Sequence, residues 1–307
     1  MKNRYRSLNL RRGQSVKIRD YEEIASTLAD DGTLEGLPFQ DEMQKYCGQT
    51  FRVLQSVKKL IIENANTGLR GIKNTVILEG VNCFGESHGG CSRYCFFLWK
   101  EAWLSRSSPG SQAGSGIQGL PDTGFGGNAR PPAPPSYCCQ SVGLERATFV
   151  VSIWNLRQYL WDITDNRYPL PRRISLIFIS LARRIWRLTR RRFPIRLSGL
   201  LEKTPSADFD LQPGDWVEVK SLREIRATLD DSGRNRGLAF TKEMKRFCGR
   251  KFSVLSAVDR IIIEGTGENR KLAHTVILKD ANCDGSANFS CPRNCYLLWR
   301  KIWLKKA

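Results

Sequence analysis

At 307 residues with 41% hydrophobic content, the chain has material for two or three domains with conventional cores, and a globular protein is expected. The longest apolar run, residues 174–182, is broken by serines and falls far short of the roughly 20 residues that cross a bilayer, so no transmembrane span is predicted. The net charge of +19 calls for an acidic partner, and charge alone does not choose among an acidic protein, nucleic acid and an anionic membrane surface.

The opening MKNRYRSLNLRRG carries charge with no apolar run behind it, which predicts neither a secretory signal nor a targeting helix and hence a cytoplasmic protein. Ten cysteines then have to be read against a reducing compartment, where disulfides are uncommon and clustered thiols more often bind metal.

Residues 8–104 and 208–305 repeat one another at a constant offset with a single deletion near Gly68, which marks an internal duplication. Each copy opens on a glycine and an alternating segment, Gly13 to Ile18 and Gly214 to Val219, with the period of two of a half-buried strand. Asp20 with Glu23, and Ser221 with Glu224, have the spacing of capping boxes and start a short helix that ends near Gly32 or Gly233. A second helical turn is expected around Glu42-Met43 and Glu243-Met244, ending at the pairs Cys47-Gly48 and Cys248-Gly249.

Three β-branched runs follow in each copy: Phe51 to Leu54, Leu60 to Glu63 and Thr75 to Leu78, matched by Phe252 to Leu255, Ile261 to Glu264 and Thr275 to Leu278. With the opening strand they predict a small antiparallel sheet whose most economical closure is an SH3-like barrel. Each copy ends on CFGESHGGCSRYCFFLWKEAWL or CDGSANFSCPRNCYLLWRKIWL, read as a cysteine-bearing loop running into a C-terminal helix. Trp99 and Trp103, like Trp299 and Trp303, are four apart and expected on one core face of that helix. The fold class is therefore α+β: two duplicated SH3-like modules, each with helical insertions and a C-terminal helix.

Residues 105–140 are dominated by Ser, Gly and Pro and read as a disordered linker. Residues 145–200 read as a basic amphipathic segment of two helices, 147–163 and 172–192, around the break at Arg167 to Pro171. In the second helix Arg183, Arg184, Arg187, Arg190, Arg191 and Arg192 crowd the C-terminal half with no lysine, which favours planar multidentate contact with carboxylates or phosphates.

Four cysteines per copy, Cys47, Cys83, Cys91 and Cys95, and Cys248, Cys283, Cys291 and Cys295, supply the donors of a tetrahedral centre. The pairs four apart, placed at a helix N-terminus, would face a common point with lowered thiol pKa values. Zinc at two sites is the leading expectation and an iron-sulfur cluster the alternative. Disulfides and buried apolar cysteines are the bland readings. His88 aligns with Asn288, so a centre common to both copies does not require it, and a solvent-facing loop position is expected. Asp30 with Glu42, and Asp231 with Glu243, suit capping. Cys138 and Cys139 have no counterpart and read as incidental. No Walker loop, dinucleotide fingerprint or Ser-His-Asp order is present.

The string GDWVEVKSLREIRATLDDSGRNRGLAF, with EMKRFCGRKFSVL and the segment from Cys283 to Leu304, resembles a group of uncharacterised bacterial proteins in which this module occurs singly or in tandem. The resemblance implies a bacterial origin and a tandem architecture, with no activity attached. The expected function is a non-catalytic, metal-holding tandem interaction module that docks on an acidic partner. An iron-sulfur redox enzyme or accessory subunit, and a nucleic-acid-binding protein, are the alternatives.

Overall fold

Val16 and Ile18 alternate with Ser15 and Lys17, and this period of two becomes strand β1 (Ser15–Ile18), with both aliphatic side chains fully buried. The computed structural model describes residues 7–63, 68–107, 139–152, 155, 157–164, 197–207, 209–285, 288 and 290–307, with isolated positions at 169, 171, 174, 175, 177, 178 and 182. The chain divides into two compact units, residues 1–170 with 262–269 and residues 171–261 with 270–307.

In the first unit β1 leads to α1 (Tyr21–Ala25), the hairpin β2 (Thr33–Leu34) and β3 (Leu37–Pro38), and a 3-10 turn, Asp41–Tyr46. Then come β4 (Thr50–Ile61), β5 (Leu69–Leu78), β6 (Trp99–Lys100), a 3-10 turn at Glu101–Trp103, and β7 (Leu104–Arg106). The strands form an antiparallel sheet in the order β6-β5-β4-β1-β7. The expected run Phe51 to Leu54 and the first two residues of the run Leu60 to Glu63 belong to one long strand, which absorbs two register shifts, at Val53/Gln55 and Val57/Lys59. After residue 107 the described chain resumes with α2 (Gln140–Ala147), β8 (Phe149–Val150) and α3 (Arg157–Thr164), and β8 adds to β5.

The second unit contains β9 (Trp216–Val219), a helix at Leu222–Arg226, β10 (Arg234–Asn235), β11 (Leu238–Ala239) and a 3-10 turn at Lys242–Phe247. It continues through β12 (Lys251–Ala257), β13 (Arg260–Ile262), β14 (Asn269–Lys271), β15 (Thr275–Asn282), β16 (Tyr296–Arg300), a 3-10 turn at Lys301–Trp303, and β17 (Leu304–Lys306). Its main sheet runs β16-β15-β12-β9-β17, the same order as the first, so the fold is a mixture of short helices and antiparallel sheets.

The expected C-terminal helix is absent from both units among the described residues. Tyr94 and Asn294 sit at φ 56° and 54°, a left-handed conformation that stops a helix before it can start. Trp99 then pairs opposite Val76 in the sheet, a single 3-10 turn follows, and Leu104 pairs opposite Ile18. The spacing of four thus reflects a strand, a tight turn and a strand. The expected burial of the tryptophans holds: all four are inaccessible, and Phe39 meets the edges of Trp99 and Trp103 at 6.2 and 5.3 Å, as Phe240 meets Trp299 and Trp303 at 6.3 and 5.3 Å.

Of the two expected capping boxes only Ser221 with Glu224 forms; the Asp20 side chain makes no cap bond. The helix expected over 147–163 is α3 alone, because Phe149 and Val150 extend along β5. The linker expected over 105–140 is folded at both margins, with Ser105 paired opposite Lys17 and Gln140 opening α2. Residues 108–138 and the arginines from Arg183 to Arg192 lie outside the described residues.

Candidate metal centre

The donors converge where the 3-10 turn Asp41–Tyr46 meets the loop that follows β5. Cys83 is placed by a bridge between Asn82 and Phe96 and by its own N–H, which donates to the Cys95 carbonyl at 2.8 Å. The loop then folds back at Gly85, whose φ of 75° and close approach to the Cys91 backbone leave no room for a side chain. The N–H groups of His88 and Gly90 both donate to the Gly85 carbonyl, at 3.2 and 3.1 Å, which turns the imidazole inward.

His88 is 1% exposed, Glu42 5% and Cys83 6%, so the expectation of a solvent-facing histidine is overturned. The physical reason is the tight loop: with its backbone closed on Gly85, the His88 ring has nowhere to go but the interior. Its Nε2 lies 3.2 Å from the Cys83 Sγ. Its Nδ1 lies 3.2 Å from Gln40 Nε2, 3.3 Å from Ser87 Oγ and 3.6 Å from Glu42 Oε1. Glu42 Oε2 accepts from the Phe84 N–H at 2.8 Å, and Oε1 accepts from the Ser87 N–H at 3.1 Å and its hydroxyl at 3.3 Å. Glu42 therefore anchors the loop across the unit, a role in place of the capping expected for it.

Burial lowers the His88 pKa against the opposing pull of Glu42. Burial, and then the negative charge of Glu42, push the Cys83 thiol well above its ordinary range. Without a cation the pair is a neutral imidazole beside a neutral thiol. The Tyr46 phenol nearby is pushed up to about 12 by burial and by Glu42.

The remaining cysteines fall into two places. Cys91 is buried in an apolar cluster with Cys139 and Ile262, packed by Val142, and the Cys95 Sγ accepts from the Ser141 hydroxyl at 4.0 Å. Cys139, expected to be incidental, is buried here, its thiol pushed up to about 12 by burial and by Cys95 beside it. Cys47 stands apart: after burial, the charges that raise its pKa are Asp20 and Glu22, next to α1. Among the described residues of the first unit, the three groups that fall within ligand reach of one another are Glu42, Cys83 and His88.

In the second unit Glu243 takes the place of Glu42, and the Cys283 thiol donates to its Oε2 at 3.3 Å. The Cys283 thiol is raised well above its usual range by burial and then by Glu243, with Cys295 and Cys291 adding to it. Cys248 packs against the core of this unit. Asn288 stands where the first unit has His88, and Asp284, paired with Arg246, closes the same corner by an ion pair.

Sulfur, imidazole nitrogen and carboxylate oxygen are the donors that divalent zinc accepts, and the 3.2 Å between Cys83 Sγ and His88 Nε2 suits two ligands of one small ion. The residues present fit such a group. Sequence reasoning passed over Glu42, His88 and Cys139; the one signal for His88 was that it breaks the identity of the repeat in the loop between two cysteines. Compared with protein-family models, curated proteins and solved structures, the chain matches none.

Proposed function

We propose that the protein is a non-catalytic, metal-holding tandem module, with zinc as a structural ion in the first unit and SH3-like barrels as the duplicated fold. The observation that carries this reading is the buried Glu42, Cys83 and His88 group, which joins the 3-10 turn Asp41–Tyr46 to the loop after β5. A domain of under about 100 residues has a limited core, and an ion at this junction would add to the bonds from Glu42 in fastening the glycine-rich loop. The mixed donor set favours zinc over an iron-sulfur cluster, which takes thiolates. The thiols of Cys283, Cys291 and Cys295 are the corresponding donors of the second unit.

The same three residues have the order of a carboxylate, imidazole and thiol relay for nucleophilic catalysis. Their burial opposes that reading, since a substrate has to reach the sulfur and Cys83 is 6% exposed. Docking on an acidic partner rests on the net charge of +19 and on the arginines between Arg183 and Arg192.

The test is metal analysis of the purified chain beside Cys83→Ser, which removes the thiol of the first unit's group. About two zinc per wild-type chain, falling to one in the variant, with chelation lowering the melting temperature, is the expected result. Protein without metal, equally stable with and without chelator, overturns the reading.

A further inference from the structure

The second unit's sheet turns a large aromatic ring to solvent. In β9 the side chains of Val217 and Val219 are fully buried, so Trp216 and Glu218 point to the opposite face, and Trp216 is 61% exposed. Its partner across β12 is Ser253, too small to cover the indole. The duplication shows that the sheet does not require this ring. The matching position in the first unit is Ser15, opposite Arg52, and the two sheets share one strand order. An exposed indole that the fold can exchange for a serine contributes little to the core, and tryptophan is among the side chains most enriched where molecules meet.

Cations stand on both sides of the ring. Lys251 on β12 and Lys305 on β17 lie opposite Glu218, two residues along β9 from Trp216, and both are exposed. Lys279, also exposed, follows Leu278, whose partner on β12 is Val254, and this register sets it next to Ser253. Two of the nearby carboxylates are engaged: Glu218 Oε1 pairs with Lys305 Nζ at 3.0 Å, and Asp215 Oδ2 accepts from the Gln212 N–H at 2.8 Å. A flat apolar ring flanked by ammonium groups matches a chain that alternates planar bases with phosphates. Every base has a π face on which an indole packs, and the lysines meet the backbone on either side. An acidic polypeptide would answer the lysines and leave the ring without a planar partner. A duplex keeps its bases stacked on one another, so the strand has to be unpaired.

We propose that this face of the second unit binds single-stranded nucleic acid, with a base stacked on Trp216 and the neighbouring phosphates held by Lys251, Lys279 and Lys305. The proposal rests on the reading of the net charge of +19 as a docking charge and names the polyanion; it is independent of the metal.

The test uses the full chain and a fluorescently labelled oligothymidylate of about twelve nucleotides, followed by anisotropy at low salt. Trp216→Ser, which installs the residue of the first unit, is expected to weaken binding about fivefold or more, while Trp216→Phe stays within about threefold of the wild type. An abasic strand of the same length should bind the wild type as weakly as oligothymidylate binds Trp216→Ser. Lys251→Gln/Lys279→Gln should lower the slope of log affinity against log salt by about 1.4, the share of two single-strand phosphate contacts. If Trp216→Ser does not fold, the two strands compared on the wild type decide. Equal affinity of wild type and Trp216→Ser, or of the two strands for the wild type, overturns the stacking site. Binding of polyglutamate without binding of the oligonucleotide overturns the nucleic-acid assignment and leaves the acidic-partner reading intact. Binding of neither overturns both.

Discussion

Lys100 and Arg300 occupy the same place in the two sheets and are both nearly inaccessible, yet they are satisfied in different ways. Lys100 Nζ pairs with Glu35 Oε2 at 2.7 Å and donates to the Lys73 carbonyl. The second unit has Arg236 where Glu35 stood, and the Arg300 guanidinium spreads over the carbonyls of Asn235, Arg236 and Ala273 and the Thr275 hydroxyl. Five fixed donors make that possible for arginine where an ammonium needs its counter-ion. Burial, with Arg236 adding to it, lowers the Arg300 pKa to about 10. The other buried charge with a consequence is Glu243, whose carboxyl is pushed up to about 7 by burial, with Asp284 adding to the effect. The ordinary carboxyl value is 4.5, so the unfolded chain releases the proton first. Stability is then lost as pH rises from 4.5 through about 7, on the order of 3 kcal/mol in full. Urea unfolding at pH 5 and pH 8, with chelator present, is expected to show this loss in the wild type and its removal in Glu243→Gln; identical profiles would refute the assignment.

At the scale of the element, the Gln140 side chain makes three of the hydrogen bonds that hold α2 to the first unit. Gln140 Oε1 accepts from the Leu98 N–H at 2.9 Å, and its Nε2 donates to the carbonyls of Pro38 and Leu98 at 2.9 and 3.0 Å. The backbones come close enough that Gly143 lies against the Pro38 ring and Gly36 against the Arg146 carbonyl. Farther on, Arg70 donates to the Glu145 and Thr148 carbonyls, and Phe149 lies over Gly71. Gln140→Leu leaves the Leu98 N–H and carbonyl buried without partners and is expected to cost about 2–4 kcal/mol. Hydrogen exchange should then quicken in α2 and β8 while β1 and β4 stay protected; unchanged protection in α2 would mean that other contacts hold it.

For the whole molecule the charge is the dominant property. With a net charge of +19, association with a polyanion is driven by release of its counterions, and the logarithm of the affinity falls linearly with the logarithm of salt concentration. Binding to polyglutamate is expected to weaken by about tenfold or more between 50 and 200 mM salt, by analogy with the screening of several simultaneous contacts. Replacing Arg183, Arg184, Arg187, Arg190, Arg191 and Arg192 by glutamine should flatten that slope. An unaltered slope moves the contact to the residues around the two sheets. No helix among the described residues is long and apolar enough to cross a membrane.

What the sequence determined by itself is whatever depends on neighbours in the chain. The alternation in Ser15–Ile18 and Trp216–Val219, the Ser221 with Glu224 box, the turns at Asp41–Tyr46 and Lys242–Phe247, and the repetition that yields two sheets of one strand order are all of this kind. The C-terminal helix failed because a spacing of four suits a helical face as well as a strand, a 3-10 turn and a strand, and only pairing with β5 and β1 separates them. The surroundings of Cys83 lay further out of reach. Glu42 comes from a turn before β4 and Cys139 from beyond residue 108, and no local period encodes that the first reaches the loop of Cys83 while the second packs on Cys91. That choice, and with it the burial of His88, was made when the sheet closed, because only the closed sheet removes water from both sides of the loop.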